Sequence, residues 1–298
     1  MSHPQTAPLR TLIDPALLRS MLAGPAPCVV LDCGFDLFDP AAGQKAWEQG
    51  HLPGAIYAHL DRDLSGPKSS RGPVEGGRHP LPPLAVWAQR VAAWGITPQT
   101  FVVCYDDQGG PYAARAWWML RWLGHEQVAV LDGGRSAWVA AGGPLESVGA
   151  PDAARHAGVD AGAAYPLLQE SMRTVKATEL AAGLGALTLV DARAAERYRG
   201  ETEPLDTRAG HIPGALNRFF KDNLQPDGRF KAAEDLRKEW SAMLGEGSSA
   251  VHQCGSGVTA CHNLLAVAHA GLGLGVLYPG SWSEWSADPS RPVAVGAG

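Results

Sequence analysis

His252-Gln253-Cys254-Gly255-Ser256-Gly257-Val258-Thr259-Ala260 is the stretch from which the rest of the chain is read. The apolar run Ser249-Ala250-Val251 leads into it, and a helical pattern begins at Val258, with Leu264, Leu265, Ala268 and Leu272 on one face. The segment therefore reads as strand, tight loop and helix, with the sulfur where the strand ends. Glycines let successive N–H groups turn toward a common centre, and the following helix adds its unpaired first-turn donors and the positive end of its dipole. Such a cradle holds an anion. Here the anion is the thiolate of Cys254 itself, because converging amides and a helix N-terminus favour thiolate over thiol and make a nucleophile of it. A lone cysteine at a strand end is ordinarily core packing. The Gly255-Ser256-Gly257 turn moves the reading toward chemistry.

Outward from this stretch, the chain repeats itself. Leu187-Thr188-Leu189-Val190-Asp191 matches Cys28-Val29-Val30-Leu31-Asp32, and the turn His211-Ile212-Pro213-Gly214-Ala215 matches His51-Leu52-Pro53-Gly54-Ala55. The strand before Cys254 corresponds to Phe101-Val102-Val103-Cys104-Tyr105, so Asp106 occupies the place of Cys254 in the first half. Val128–Gly134 with Trp138 is answered by Gly275–Gly280 with Trp285. A period of roughly 150 residues signals duplicated domains and not a solenoid.

Alternating strands and helices with short glycine-rich connections predict an α/β protein of two domains, each a mostly parallel central sheet flanked by helices. Helices are expected at Pro83–Trp94, Tyr112–Leu123, Ala232–Leu244 and Val258–Ala270. The expected division is a first domain over 1–145 without the active cysteine, a linker over 146–172 rich in Ala, Gly and Pro, and a catalytic domain over 173–298. The glycine- and proline-rich stretch Ser65–Leu84 reads as a long loop of functional interest.

With 298 residues, 45% of them hydrophobic, the chain can bury two cores. A net charge of −5 and the lack of any basic run argue against nucleic acid or a membrane surface as partner. Five cysteines without C-x-x-C spacing suggest neither a disulfide framework nor a metal site. The start, MSHPQTAPLR, lacks the pattern of a leader, and no apolar run is long enough to span a bilayer, so the cytoplasm is the expected location.

The Cys254–Thr259 loop, the paired His-x-Pro-Gly-Ala turns and the exchange of Asp106 for Cys254 together resemble a tandem-domain rhodanese of the 3-mercaptopyruvate sulfurtransferase branch, over essentially the whole chain. The resemblance implies two rhodanese-like domains packed face to face with the cysteine near the cleft, and a sulfur-transfer enzyme that needs no metal or organic cofactor. Cys254 would attack the outer sulfur of a small donor, and its persulfide would pass that sulfur to a thiol, cyanide or a thioredoxin-like protein. The loop residues Gly255, Gly257, Val258 and Thr259 would contact substrate, with Thr259 also placed to cap the helix. By the same resemblance Arg197 would grip the donor's carboxylate or sulfonate. A second arginine that often follows Glu-Pro in this branch is replaced by Leu205, and Arg208 is the residue that could swing in for it. Ser256, His79 and Asp61 correspond to a serine, histidine and aspartate that would relay a proton to the enolate left by mercaptopyruvate. Ser256 could instead be there only because it is small, and His79 only to order its loop.

Family thiosulfate enzymes usually carry two basic residues directly after the cysteine, where this chain has Gly255 and Ser256. That favours 3-mercaptopyruvate as donor, with thiosulfate to cyanide transfer as the alternative and a non-enzymatic persulfide carrier as the reading from another class. Rhodanese-like phosphatases place an arginine where this chain has Ala260, which argues against phosphate chemistry. Cys261 reads as core, with a resolving-thiol role as its alternative; Cys28, Cys33 and Cys104 read as buried, His51 and His211 as turn-fixing, and the tryptophans as packing.

Overall fold

The computed structural model of the chain describes residues 11–68, 75–148, 165–166, 172–245 and 249–297. The first half runs β1 (Leu12–Ile13), α1 (Pro15–Leu22), β2 (Cys28–Asp32), α2 (Ala42–Gln49), β3 (Ile56–Tyr57), α3 (Leu84–Ala93), β4 (Phe101–Tyr105), α4 (Pro111–Trp122), β5 (Val128–Leu131) and α5 (Gly134–Ala140). The second half runs β6 (Arg173–Thr174), α6 (Ala177–Ala182), β7 (Leu189–Asp191), α7 (Ala195–Tyr198), β8 (Ala215–Asn217), α8 (Ala233–Leu244), β9 (Val251–Gln253), α9 (Thr259–His269), β10 (Val276–Leu277) and α10 (Ser281–Ala287). Each half forms one five-stranded parallel sheet, in the orders β1-β5-β4-β2-β3 and β6-β10-β9-β7-β8. These are the same order shifted by five strands, so the duplication seen in sequence is a duplication of topology. The helices anticipated from periodicity fall within one residue of their expected bounds at each end. Most of the expected linker, and part of the Ser65–Leu84 loop including Gly72, lie outside the described residues.

The strands are Val- and Leu-rich because both faces of each sheet are covered, the usual condition of a parallel sheet. On the outer faces, Ile13, Val30, Val103 and Trp138 pack together in the first domain and Leu189, Val251, Trp282 and Trp285 in the second. On the inner side α4 lies against α9, and one continuous core runs from Leu31 and Trp118 through to Leu264 and Trp240. The domains thus share a core instead of merely touching.

The repeated turns repeat their bonding too. His51 Nδ1 lies 2.7 Å from the Trp47 carbonyl oxygen, and His211 Nδ1 lies 2.8 Å from that of Tyr198. Trp138 Nε1 donates to the Pro144 carbonyl and Trp285 Nε1 to that of Pro292, each at 2.8 Å. In register, Asp32 pairs with Tyr105 and Asp191 with Gln253, which places Asp106 and Cys254 at equivalent points beyond β4 and β9. In the first domain that point is filled: the Asp106 carboxylate accepts the N–H groups of Gln108, Gly110, Tyr112 and Ala113 at 2.9, 2.8, 2.9 and 3.0 Å.

Candidate active site

Cys254 follows β9 directly and is 2% exposed. Its amide donates to Ser281 Oγ at 3.1 Å, and its Sγ accepts the Gly257 N–H at 3.2 Å. Gly257 has φ +76°, and a Cβ there would lie 2.4 Å from the Pro279 carbonyl oxygen, so only glycine lets this amide turn back onto the sulfur. The carbonyls of Cys254 and Gly255 accept the N–H groups of Trp282 and Ser283 at 2.9 Å, which ties the loop to α10. Thr259 does not cap α9: the cap residue is Val258, without a side-chain bond, and Thr259 opens the helix and faces the cavity above the sulfur.

That cavity, about 460 Å³, lies between the domains beyond the ends of β7 and β9. The chain leaves those two strands in opposite directions within the sheet, and this crevice is where open α/β sheets bind ligands. Gly255, Ser256, Val258 and Thr259 line it with Cys254, while Gly257 lies behind the sulfur. Tyr112, Leu37 and Gln108 contribute from the first domain.

The structure brings Ser256, His79 and Asp61 together from three loops and both domains. Ser256 Oγ is 2.7 Å from His79 Nδ1, with both residues buried. His79 Nε2 is 3.5 Å from Asp61 Oδ1, longer than an ordinary hydrogen bond, and Lys68 Nζ approaches the same oxygen at 2.8 Å. Burial, then the neighbouring Arg78, push the His79 pKa down to about 3, so the imidazole is neutral and its contact with Asp61 is not an ion pair. At 3.5 Å Asp61 does not fix the tautomer, and with its proton on Nδ1 the imidazole donates to Ser256 Oγ and leaves the hydroxyl proton free to point into the cavity.

Arg197 lines the cavity from α7, its Nη2 bound to Glu203 at 2.6 Å. Arg208 does not reach the cavity. Its guanidinium is committed to the carbonyls of Ser286, Arg291, Trp285 and Asp288 at 2.8, 3.1, 3.2 and 2.6 Å, where it anchors the end of α10. Leu205 does line the cavity, but the second cation beside it is Arg78 of the first domain, which the sequence reading passed over. A Cβ on Gly255 would lie 3.3 Å from Arg78 Nη2 and 3.5 Å from Arg197 Nη1. The cations absent from positions 255 and 256 are therefore supplied through space, and small neutral residues there do not by themselves disfavour a dianionic donor. The available signal was position: Arg78 sits next to His79 in the loop already marked as functional.

Arg115 was missed as well. This arginine of α4 is fully buried and donates to the carbonyls of Gly257 at 3.0 Å, His79 at 3.1 Å and Leu64 at 3.3 Å. It braces the cysteine loop of the second domain and the histidine loop of its own. A reciprocal contact runs from α9, where His262 Nε2 lies 3.0 Å from the carbonyl oxygen of Gly109, the first-domain counterpart of Gly257. Arg115 had a signal: it is the one charge in the Ala- and Trp-rich run Pro111–Leu120.

Cys261 is fully buried, its Sγ 3.3 Å from the Gly257 carbonyl, and burial pushes its thiol up to about 12, which does not suit a resolving thiol. Cys33 and Cys104 are buried and Cys28 partly so. Trp117, Trp118, Trp138, Trp282 and Trp285 are buried, Trp122 partly so, and none of them lines the cavity.

The Rhodanese-like domain family matches residues 14–141 and 176–288. A Pseudomonas aeruginosa protein named "Probable 3-mercaptopyruvate sulfurtransferase" is 48% identical, covering 90% of this chain and 92% of that protein. The thiosulfate sulfurtransferase of Bos taurus is 33% identical over 90% of this chain and 89% of its own length. Among solved structures, the 3-mercaptopyruvate sulfurtransferase of Leishmania major superposes with a TM-score of 0.76 at 31% identity, covering 96% of this chain and 75% of that one. The chain belongs to the rhodanese family, as two rhodanese-like domains in tandem. Among the described residues no helix is long and apolar enough to cross a membrane, and no group of three or more His, Cys, Asp or Glu could hold a metal ion.

Proposed function

We propose that this enzyme is a sulfurtransferase that takes sulfur from 3-mercaptopyruvate onto Cys254. The observation that carries the choice of donor is the buried 2.7 Å contact between Ser256 and His79 beside the cysteine. Mercaptopyruvate leaves a carbon behind that must be protonated, whereas thiosulfate leaves as sulfite and needs no such relay. Arg197 holds the donor's carboxylate. The Cys254 thiolate attacks the donor sulfur, the C–S bond breaks, and its electron pair passes into the enolate of pyruvate, while the Gly257 amide stabilises charge on the loop sulfur. The Ser256 hydroxyl, backed by His79, delivers a proton to the enolate carbon, and a proton from solvent restores the relay. Pyruvate and a Cys254 persulfide result.

A small thiol, cyanide or the dithiol of a thioredoxin-like protein then removes the outer sulfur and regenerates the thiolate. All five cysteines are free thiols, which suits the cytoplasm as the place of action. Comparison of kcat/KM for the two donors with one acceptor tests the reading, and mercaptopyruvate is expected to be preferred at least about tenfold. A tenfold preference for thiosulfate would replace it with thiosulfate chemistry. A single stoichiometric burst without turnover would replace it with a persulfide carrier.

A further inference from the structure

The cavity wall above Cys254 carries four cations, Arg78, Arg193, Arg197 and Lys221, and among the described residues no carboxylate lines it. The acids that balance these arginines stand behind them. Arg78 Nη1 binds Asp206 Oδ1 at 2.7 Å, Arg197 Nη2 binds Glu203 Oε1 at 2.6 Å and lies 3.5 Å from Asp206 Oδ2, and Arg193 is taken up by Asp191 and Glu203. What remains of Arg78 and Arg197 points the other way. Their Nη2 and Nη1 atoms converge on Gly255, and both Nε atoms are buried without a hydrogen-bond partner. Two guanidinium edges with unused donors thus meet over the residue that follows the nucleophile.

Arg78 is also held firmly in place. Its amide donates to Ser283 Oγ at 3.0 Å, and the Gly76 amide to Glu284 Oε1 at 3.1 Å. Gly77, at φ +70°, presses so close to the second domain that a Cβ would lie 2.3 Å from the Gly280 carbonyl oxygen. The main chain of the first domain is therefore fixed against α10, and the Arg78 side chain leaves it toward the cysteine.

We infer that Arg78 and Arg197 form a two-domain clamp for the carboxylate of the sulfur donor, with Arg78 as the specificity-determining second arm. A planar carboxylate offers two oxygens to two planar forks, one from each domain, and the clamp orients the donor with its sulfur toward Cys254. The assignment rests on the sulfurtransferase reading for the donor's identity, but not for the geometry of the anion site. It makes donor binding a property of the assembled cleft, since neither domain alone carries both arms.

Calorimetric titration with pyruvate, which bears the carboxylate and does not react, tests the clamp without turnover. Arg78→Ala is expected to weaken pyruvate at least about tenfold, with Arg197→Ala doing likewise, while hydroxyacetone, the same skeleton without the carboxylate, binds equally to all three proteins. Steady-state kinetics should show the loss for mercaptopyruvate in KM and leave kcat within about threefold. A pyruvate dissociation constant within about twofold of wild type in Arg78→Ala, or no measurable binding to the wild type, would overturn the clamp. So would sulfite binding that falls while pyruvate binding does not. If Arg78→Ala does not fold, Arg78→Lys decides: it keeps the charge, loses the fork and should weaken pyruvate about threefold, and unchanged binding would overturn the clamp. A wild type that binds pyruvate through Arg78 yet moves no sulfur would refute the functional reading and leave the clamp standing.

Discussion

The loops after β4 and β9 are the same cradle put to opposite uses. In the first domain Asp106 supplies a carboxylate that takes four backbone N–H groups, so the cradle is closed by its own chain. In the second the occupant is a thiol sulfur that takes one such bond, from Gly257, and faces a cavity. Burial pushes the Asp106 carboxyl upward, and the four N–H groups pull it part of the way back. The sulfur of the cysteine loop is less saturated, with the Gly257 N–H as its partner. On the same scaffold, the residue at the strand end is thus a carboxylate in one loop and a sulfur in the other.

The strongest way to break this comparison is to move the sulfur. Cys254→Ser should lower turnover by at least about a thousandfold while leaving the melting temperature nearly unchanged, because an alcohol supplies almost no anion and stores no persulfide. Adding Asp106→Cys to Cys254→Ser should restore nothing, since Arg197 and Ser256 stand in the other domain's loops. Measurable turnover by the double variant would mean that the cradle alone suffices. Mass spectrometry of the wild type after donor treatment should find one added sulfur on the Cys254 peptide, and none on that carrying Cys104.

A smaller effect is expected from the closed loop. Asp106→Ala orphans four N–H groups, those of Gly110 and Ala113 fully buried, and should cost roughly 2–4 kcal/mol of stability, read in denaturant unfolding, with kcat/KM reduced far less than by Cys254→Ser. Loss of turnover without loss of stability would assign Asp106 a part in the chemistry. The smallest catalytic effect belongs to Arg208→Ala. It should change kcat/KM by less than about threefold and show itself as lost stability, because this guanidinium serves four carbonyls and no substrate.

Features fixed by local chain chemistry could be read from the sequence. The duplicated strands, the helix bounds near α3, α4, α8 and α9, and the place of Cys254 at a strand end all follow from periodicity and glycine placement. The meeting of Ser256 with His79 came through resemblance, since 177 positions separate them. Residues that act across the domain boundary stayed hidden. Arg208 was proposed because it lies near Leu205 in the chain, but its loop turns the side chain toward α10, and the vacant place is served by Arg78 from a segment more than a hundred residues earlier. Neighbours along the chain predict neighbours in space only within an element, and this cleft is assembled from two domains.

The crossed contacts of Arg115 on Gly257 and His262 on Gly109 bear on how such a chain evolves. After duplication, a silent copy is free to decay or be deleted if the working copy stands alone. Here the Cys254 loop leans on a buried guanidinium that only the first domain provides, and deleting that domain would leave the Gly257 carbonyl without this partner and expose the shared core. Selection therefore sees the two halves as one inheritable unit. With Arg78, His79 and Asp61 also on the first half, losing that half would dismantle the cleft as well as the core.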